Sequence, residues 1–429
     1  MPLNPVRTQF DNGARLLVKR AITTPAVSIN LAIRAGSIAD PAGWPGTTWL
    51  LSRTIDRGAA SRSAAAIAEE LDSRGITLTI NVTRHLFSLV CTCLAEDFEP
   101  VLALLADIVT SPSLPEEELA TRKGEVITAI RQDDDSPMVR ALEELMSMLY
   151  PGGHPYGRRT KGSIDIVERI TREQVVRLHA ERFAPGELTA AIVGDVDPSQ
   201  AQAVAARAFA DWKKPSPASI ALAPAAAAKT RERRTIPMMN KSQADVAYGF
   251  ITIARSDPDY YAYWLMNVVF GQYAMGGRLG DSIRERQGMA YYASSSFDAN
   301  VVPGPLAIRA GVSPANVDKA IASIDEEIVR LVRDGITEQE LDESRRYLIG
   351  SIPRALETNA AIATFLQTSE FFGLGLDHDA RLPGLLSAVT LDEVNRAART
   401  ALDPGRATLV IAGPYADAQP VGSSAKPST

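Results

Sequence analysis

The sequence predicts an α+β fold built twice: two homologous domains related by internal duplication, each mixing antiparallel strands with helices packed on one face of a sheet. Three observations lead there. Period-two apolar runs are interleaved with runs of helical spacing. Distant landmarks repeat at one common offset. A stretch rich in Pro, Ala and charge separates the two copies.

The elements follow in chain order. Val27, Ile29, Leu31 and Ile33 alternate with Ser28, Asn30, Ala32 and Arg34, the period of a half-buried strand ending near Gly36. Thr47 to Asp56 turns helical through Trp49, Leu50, Leu51 and Ile55, and a second helix from Ser63 to Ser73 stops at Gly75. Ile76 to Val82 and Phe87 to Cys93 alternate on either side of Arg84-His85, which predicts an antiparallel hairpin. Helical spacing returns over Phe98–Thr110, from Glu116 into Asp133-Asp134-Asp135, and over Val139–Leu149; a strand at Leu188–Val193 closes the half.

The repeat is gapless over Ile170–Gly194 against Val389–Gly413. Pro185 and Pro404 stand 219 positions apart, and so do Val27 and Val246 in the first strand of each copy. Chance matches do not keep one register over that distance. The expected layout is a domain over 1–212, a connector over 213–234, a second domain over 235–417 and a disordered tail over 418–429.

With 429 residues, 45% hydrophobic and 22% charged, the chain can bury two cores of ordinary size. A net charge of −6 provides no basic field for a nucleic-acid backbone, so no nucleic-acid partner is expected. Cys91 and Cys93 fall on one face of one strand, a placement that favours buried thiols over a disulfide. No run reaches the length of a membrane span, and no signal peptide is recognisable. The cytoplasm is the expected compartment, and the periplasm stays open for a chain whose leader has been removed.

The most informative stretch is Gly276 to Tyr292: glycines, a short turn carrying Arg284, a break at Gly288, then Tyr291 entering a strand. A planar, permanent cation and a phenol on a stiff stem suit an oxygen that gains negative charge. Two readings of these types are open. Either the pair serves chemistry, or Arg284 pairs with Asp281 or Glu285 on a wet helix and Tyr291 is an ordinary strand aromatic.

This stretch resembles M16-type zinc metallopeptidases, in particular the short two-domain class that includes mitochondrial processing peptidase, where Ser-Arg-Leu, Arg-Glu and Gly-Leu-Ala-Tyr recur in this order. Gly277 stands in place of the usual serine before Arg278, and Met289 in place of the usual leucine. His154-Pro155-Tyr156-Gly157 and the run from Ile170 to Asp195 are further landmarks, so the likeness spans about Asn12 to Gly413. The resemblance implies processing-peptidase-like domains facing one another, or a partner, around an enclosed cavity. It also implies that Arg284 and Tyr291 contact substrate near the scissile carbonyl.

An active member carries His-x-x-Glu-His on its first helix, two histidines for zinc and a glutamate as general base, with a distant glutamate as third ligand. Counted from Gly46 and Gly58, the three positions are Trp49, Ser52 and Arg53; counted from Asp135-Ser136-Pro137, the fourth is Ala129. None can ligate zinc or act as the base. No histidine lies before His85 to rescue the motif. Arg53 could instead fill the vacated space and pair with a carboxylate. His85, His154, His179 and His378 share no ligand spacing and are expected at surface or capping positions, and the Asp133–Asp135 run is expected to be solvated. There is no phosphate-binding loop, nucleophile elbow or dinucleotide fingerprint.

The combined expectation is a pseudo-peptidase. It would hold no metal itself and would pair with a homologous catalytic subunit whose intact His-x-x-Glu-His binds zinc, lending Arg284 and Tyr291 to hydrolysis of a bound peptide. The alternative is a structural subunit that keeps the fold without any role in proteolysis.

Overall fold

The computed structural model describes residues 2–272 and 277–416; Gly276 and the tail over 418–429 lie outside them. The strands, in chain order, are β1 (Val6–Gln9), β2 (Arg15–Arg20), β3 (Ala26–Ile33), the short pair β4 (Gly58–Ala59) and β5 (Arg62–Ser63), β6 (Thr79–Val82), β7 (Phe87–Leu94), β8 (Leu188–Gly194), β9 (Glu232–Pro237), β10 (Ala244–Ile251), β11 (Ala290–Phe297), β12 (Pro305–Val312) and β13 (Thr408–Gly413). One sheet runs β1-β2-β8-β3-β7-β6 and another β11-β12-β10-β13-β9. In the first, β2 and β8 are parallel and the other neighbours antiparallel. In the second, β13 and β9 are parallel and the rest antiparallel. The second therefore repeats the order β2-β8-β3-β7-β6 strand for strand.

The duplication extends to backbone detail. Helices Arg172–Arg182 and Leu391–Ala401 open with capping boxes, Thr171 with Gln174 and Thr390 with Glu393, at the common offset. Both strands that follow end on a glycine at positive φ, Gly194 (+149°) and Gly413 (+139°). A side chain at either would run into the backbone of the neighbouring strand.

Contacts divide the chain into two compact units that are not contiguous in sequence: Met1–Gln132 with Tyr150–Ala223 and Arg345–Val389, and Asp133–Leu149 with Pro224–Ser344 and Thr390–Thr429. In the first unit, Leu16, Val18, Ile29, Leu31 and Ile192 face a large core with helix Phe98–Thr110, and Leu17, Ala191 and Val193 face Ile362, Ala363 and Leu366 of helix Asn359–Phe371. In the second, helix Pro137–Leu149 packs on β10 and β13, with Leu145 and Leu149 against Gly249. The expectation of helices on one face is thereby corrected. β8 is buried at every residue, so each face of the sheet must be covered to keep apolar surface from water.

The stretch 213–234 has no buried residue, and hydrogen bonds tie it to the first unit. Lys214 binds the Phe183 carbonyl, Arg182 the Ala218 carbonyl and His154 the Ala223 carbonyl, pinning it along the first unit. Its last residues start β9, an edge strand whose charged Glu-Arg-Arg sequence hides the apolar alternation normally read as strand. Cys91 and Cys93 are buried free thiols.

Candidate functional site

The helix that would bear a metal motif is built by its preceding loop. The Asp40 carboxylate accepts the Gly46 and Thr48 backbone N–H groups at 2.7 and 2.6 Å. Gly46, at φ +95°, abuts the Lys161 carbonyl closely enough to exclude a side chain. Helix Thr47–Thr54 then buries Leu50, Leu51 and Thr54. On it, the Ser52 hydroxyl donates to the Trp49 carbonyl at 2.6 Å, and the Lys161 ammonium lies 5.7 Å from the centre of the Trp49 ring. Arg53 is exposed and makes no ion pair among the described residues, so the expectation that it fills a vacated site and pairs with a carboxylate is overturned. Ala129 sits on helix Glu116–Asp134 with no donor atom.

Zinc does not fit these residues. An indole, an alcohol already committed to a carbonyl, a guanidinium and a methyl group supply no ligand set. Among the described residues no group of three or more His, Cys, Asp or Glu is arranged to hold a metal ion.

The histidines are structural, though not all where expected. His85 is buried and hydrogen-bonds the Tyr156 hydroxyl; burial lowers its pKa to about 4. His179 donates through Nε2 to the Val109 carbonyl at 2.8 Å, and burial lowers it likewise to about 4. His154 donates through Nε2 to Ala223 and accepts the Tyr156 N–H through Nδ1, which defines its neutral tautomer. His378 is buried at the start of helix His378–Ala388 and stacks on Phe365, not in a polar loop.

The stretch carrying Arg284 and Tyr291 belongs to the second unit. Gly277, at φ +72°, crosses within contact of Gly271, and Arg278 makes a two-pronged pair with Glu340, 2.8 Å on each prong, while also donating to the Gly335 carbonyl at 2.8 Å. Val268, Val269, Gly277, Arg278, Glu340 and Ser344 line a pocket of about 330 Å³. The π-helical turn Gly280–Arg286 follows and packs on β11; such turns are local irregularities that recur at functional sites. Arg284 pairs with Glu285 at 3.4 Å, one of the two partners anticipated. The chain leaves through Gly288 at φ +60°.

Tyr291 is then placed by a β-bulge. Ala290 pairs with Val312 and Tyr292 with Gly311, so Tyr291 is the extra residue, and it is 74% exposed. The Arg278–Glu340 pair and the bulge escape sequence reading, since one links residues 62 apart and the other depends on the neighbouring strand.

Two family descriptions match the chain: "Insulinase (Peptidase family M16)" over residues 15–161 and "Peptidase M16 inactive domain" over 169–348. The chain belongs to the M16 peptidase family. Among relatives, an uncharacterized zinc protease of Streptomyces coelicolor is 25% identical over 96% of this chain and 90% of its own length. One of Mycobacterium tuberculosis is 26% identical over 96% and 94%. The crystal structure of a peptidase M16 inactive domain from Pseudomonas fluorescens superposes with TM-score 0.89 at 28% identity, covering 97% of this chain and all of that one. A protease from Helicobacter pylori shares the M16 fold at TM-score 0.87 and 16% identity, over 96% and 100% of the chains.

Proposed function

We propose that this chain is the non-catalytic, substrate-binding member of a heterodimeric M16 zinc peptidase. The observation that carries the reading is a contrast between its two M16-type domains. Positions 49, 52, 53 and 129 hold no metal donor, whereas the bulge presents the Tyr291 phenol to solvent beside the Arg284 turn. The inactive-domain description of the solved relative, which covers 97% of this chain, supports it.

In this reading zinc and its activated water belong to a homologous partner with an intact His-x-x-Glu-His. The peptide lies extended along an open sheet edge, of which β6 and β11 are two, held by backbone hydrogen bonds. As water adds to the scissile carbonyl, its oxygen gains negative charge. The Arg284 guanidinium and the Tyr291 hydroxyl donate hydrogen bonds to that oxygen, stabilising the transition state more than the ground state.

The test is coexpression with such a homologue and cleavage of a quenched peptide, with and without chelator. Arg284→Ala and Tyr291→Phe are expected to lower turnover on the order of 10²-fold each while the pair still coelutes. Unchanged turnover in both refutes the role. The Arg284–Glu285 pair favours a second reading, a structural subunit whose Arg and Tyr take no part in proteolysis; a copurifying homologue that itself lacks His-x-x-Glu-His would support that one.

A further inference from the structure

We infer that Tyr292, Gly311 and Asp245 form a cross-strand clamp that holds the bulge open and so keeps Tyr291 facing outward. The geometric part stands by itself; the consequence for turnover rests on the function proposed above.

The three residues are direct neighbours across β11, β12 and β10: Tyr292 pairs with Gly311, and Gly311 with Asp245. The Tyr292 ring lies over the glycine, because a Cβ on Gly311 would come within 2.6 Å of ring atom Cε1. Spanning β12 in this way, the hydroxyl reaches the buried Asp245 carboxylate and donates to it. The Gln243 amide stands 3.4 Å from both carboxylate oxygens. A hydrogen bond between strands that are not neighbours is possible only because the middle strand offers no side chain.

The clamp matters because of strand parity. In unbroken alternation Tyr291 would share the face of Ala293 and Ser295, both buried. The bulge removes it from that face, and seating Tyr292 on Gly311 determines which tyrosine is the unpaired one. With two adjacent tyrosines, a one-residue slip would exchange their places, putting Tyr291 on the glycine and Tyr292 outside. Met289 is buried and its N–H is bonded to the Ile283 carbonyl at 3.2 Å, which anchors the near side of the bulge. Tyr292, Gly311 and Asp245 anchor the far side. They are therefore positioning residues for Tyr291.

The test uses the full chain made with 3-fluorotyrosine and read by fluorine NMR, the Tyr291 and Tyr292 resonances assigned with Tyr291→Phe and Tyr292→Phe. The Tyr291 signal should be strongly broadened by a soluble paramagnetic agent. Tyr292→Phe and Gly311→Val are expected to shift or split it, whereas Asp245→Asn, whose amide oxygen still accepts the phenol, should leave it in place. In the reconstituted peptidase Tyr292→Phe should lower kcat at least about tenfold with KM unchanged, because misplacement by about 1 Å can cost on the order of 10²-fold. A Tyr291 signal unmoved by both Tyr292→Phe and Gly311→Val overturns the clamp. A signal that moves, together with Arg284→Ala and Tyr291→Phe variants that both keep full activity, upholds the clamp and refutes the proposed function instead.

Discussion

Replacing Glu340 with alanine should loosen the whole stretch that presents Arg284 and Tyr291. Two contributions disappear. Glu340 accepts the Thr337 N–H at 2.7 Å while its own N–H reaches the Thr337 hydroxyl at 3.2 Å, a reciprocal cap at the start of helix Glu338–Ala355 worth about 1 kcal/mol. It also holds Arg278 by two 2.8 Å hydrogen bonds, the side chains being 13% exposed for Arg278 and 29% for Glu340. Stranding one member of a buried pair costs about 3–5 kcal/mol, and partial exposure of Glu340 places this one at the lower end. The expected loss is about 4 kcal/mol, the sum of those two effects.

A two-unit chain need not unfold in one step. The measurement is accordingly hydrogen exchange of amides 277–292, with a double-mutant cycle against Arg278→Met. pH gives a second check. Burial pulls the Glu340 pKa up, but the bonds from Arg278 and Thr337 outweigh it and hold the group below its ordinary 4.5. The stabilisation is therefore full above about pH 4.5 and is lost as pH falls through the depressed value. A loss under about 1 kcal/mol at pH 7, well below the range for such a pair, or one that does not shrink in acid, would sink the argument.

Asp40→Ala should unravel the start of helix Thr47–Thr54 and cost about 2–3 kcal/mol, measured by urea titration, because two buried N–H groups lose a charged acceptor. Burial raises Asp40 from 3.8 to about 6, so its effect on wild-type stability is most favourable below about pH 4 and is lost as pH rises through 6; Asp40→Asn should flatten that slope. Purified alone, the wild-type chain should carry no stoichiometric zinc by elemental analysis. The combined Trp49→His, Ser52→Glu, Arg53→His and Ala129→Glu variant should acquire about one per chain, since histidines four apart share a helical face. Stoichiometric zinc on the wild-type chain, or none on the variant, contradicts the assignment of those positions.

Local pattern carried much of the architecture. The strand at Val27–Ile33, the hairpin about Arg84-His85 and helix Phe98–Thr110 were legible from local period, but the strand is buried at every residue and not half-buried, because Ser28, Asn30 and Ala32 are covered as well. The common offset made the duplication readable, and the absence of histidine and glutamate at positions 49, 52, 53 and 129 is a fact of composition that needs no coordinates. Arg284 and Tyr291 were singled out by the family resemblance, their residue types alone leaving two readings open, and their surroundings were not legible.

Tertiary structure decided what depends on partners distant in sequence. Charged β9 becomes a strand because β13 offers it backbone hydrogen bonds. Helices Pro137–Leu149 and Asn359–Phe371 each cover a sheet whose central strands are apolar on both faces. Tyr291 points outward, and Tyr292 does not, because the register of β12 places Gly311 beside one tyrosine and leaves the other unpaired. Sequence determines which side chains are present and their local period; pairing across the sheet decides which of two identical neighbours meets solvent.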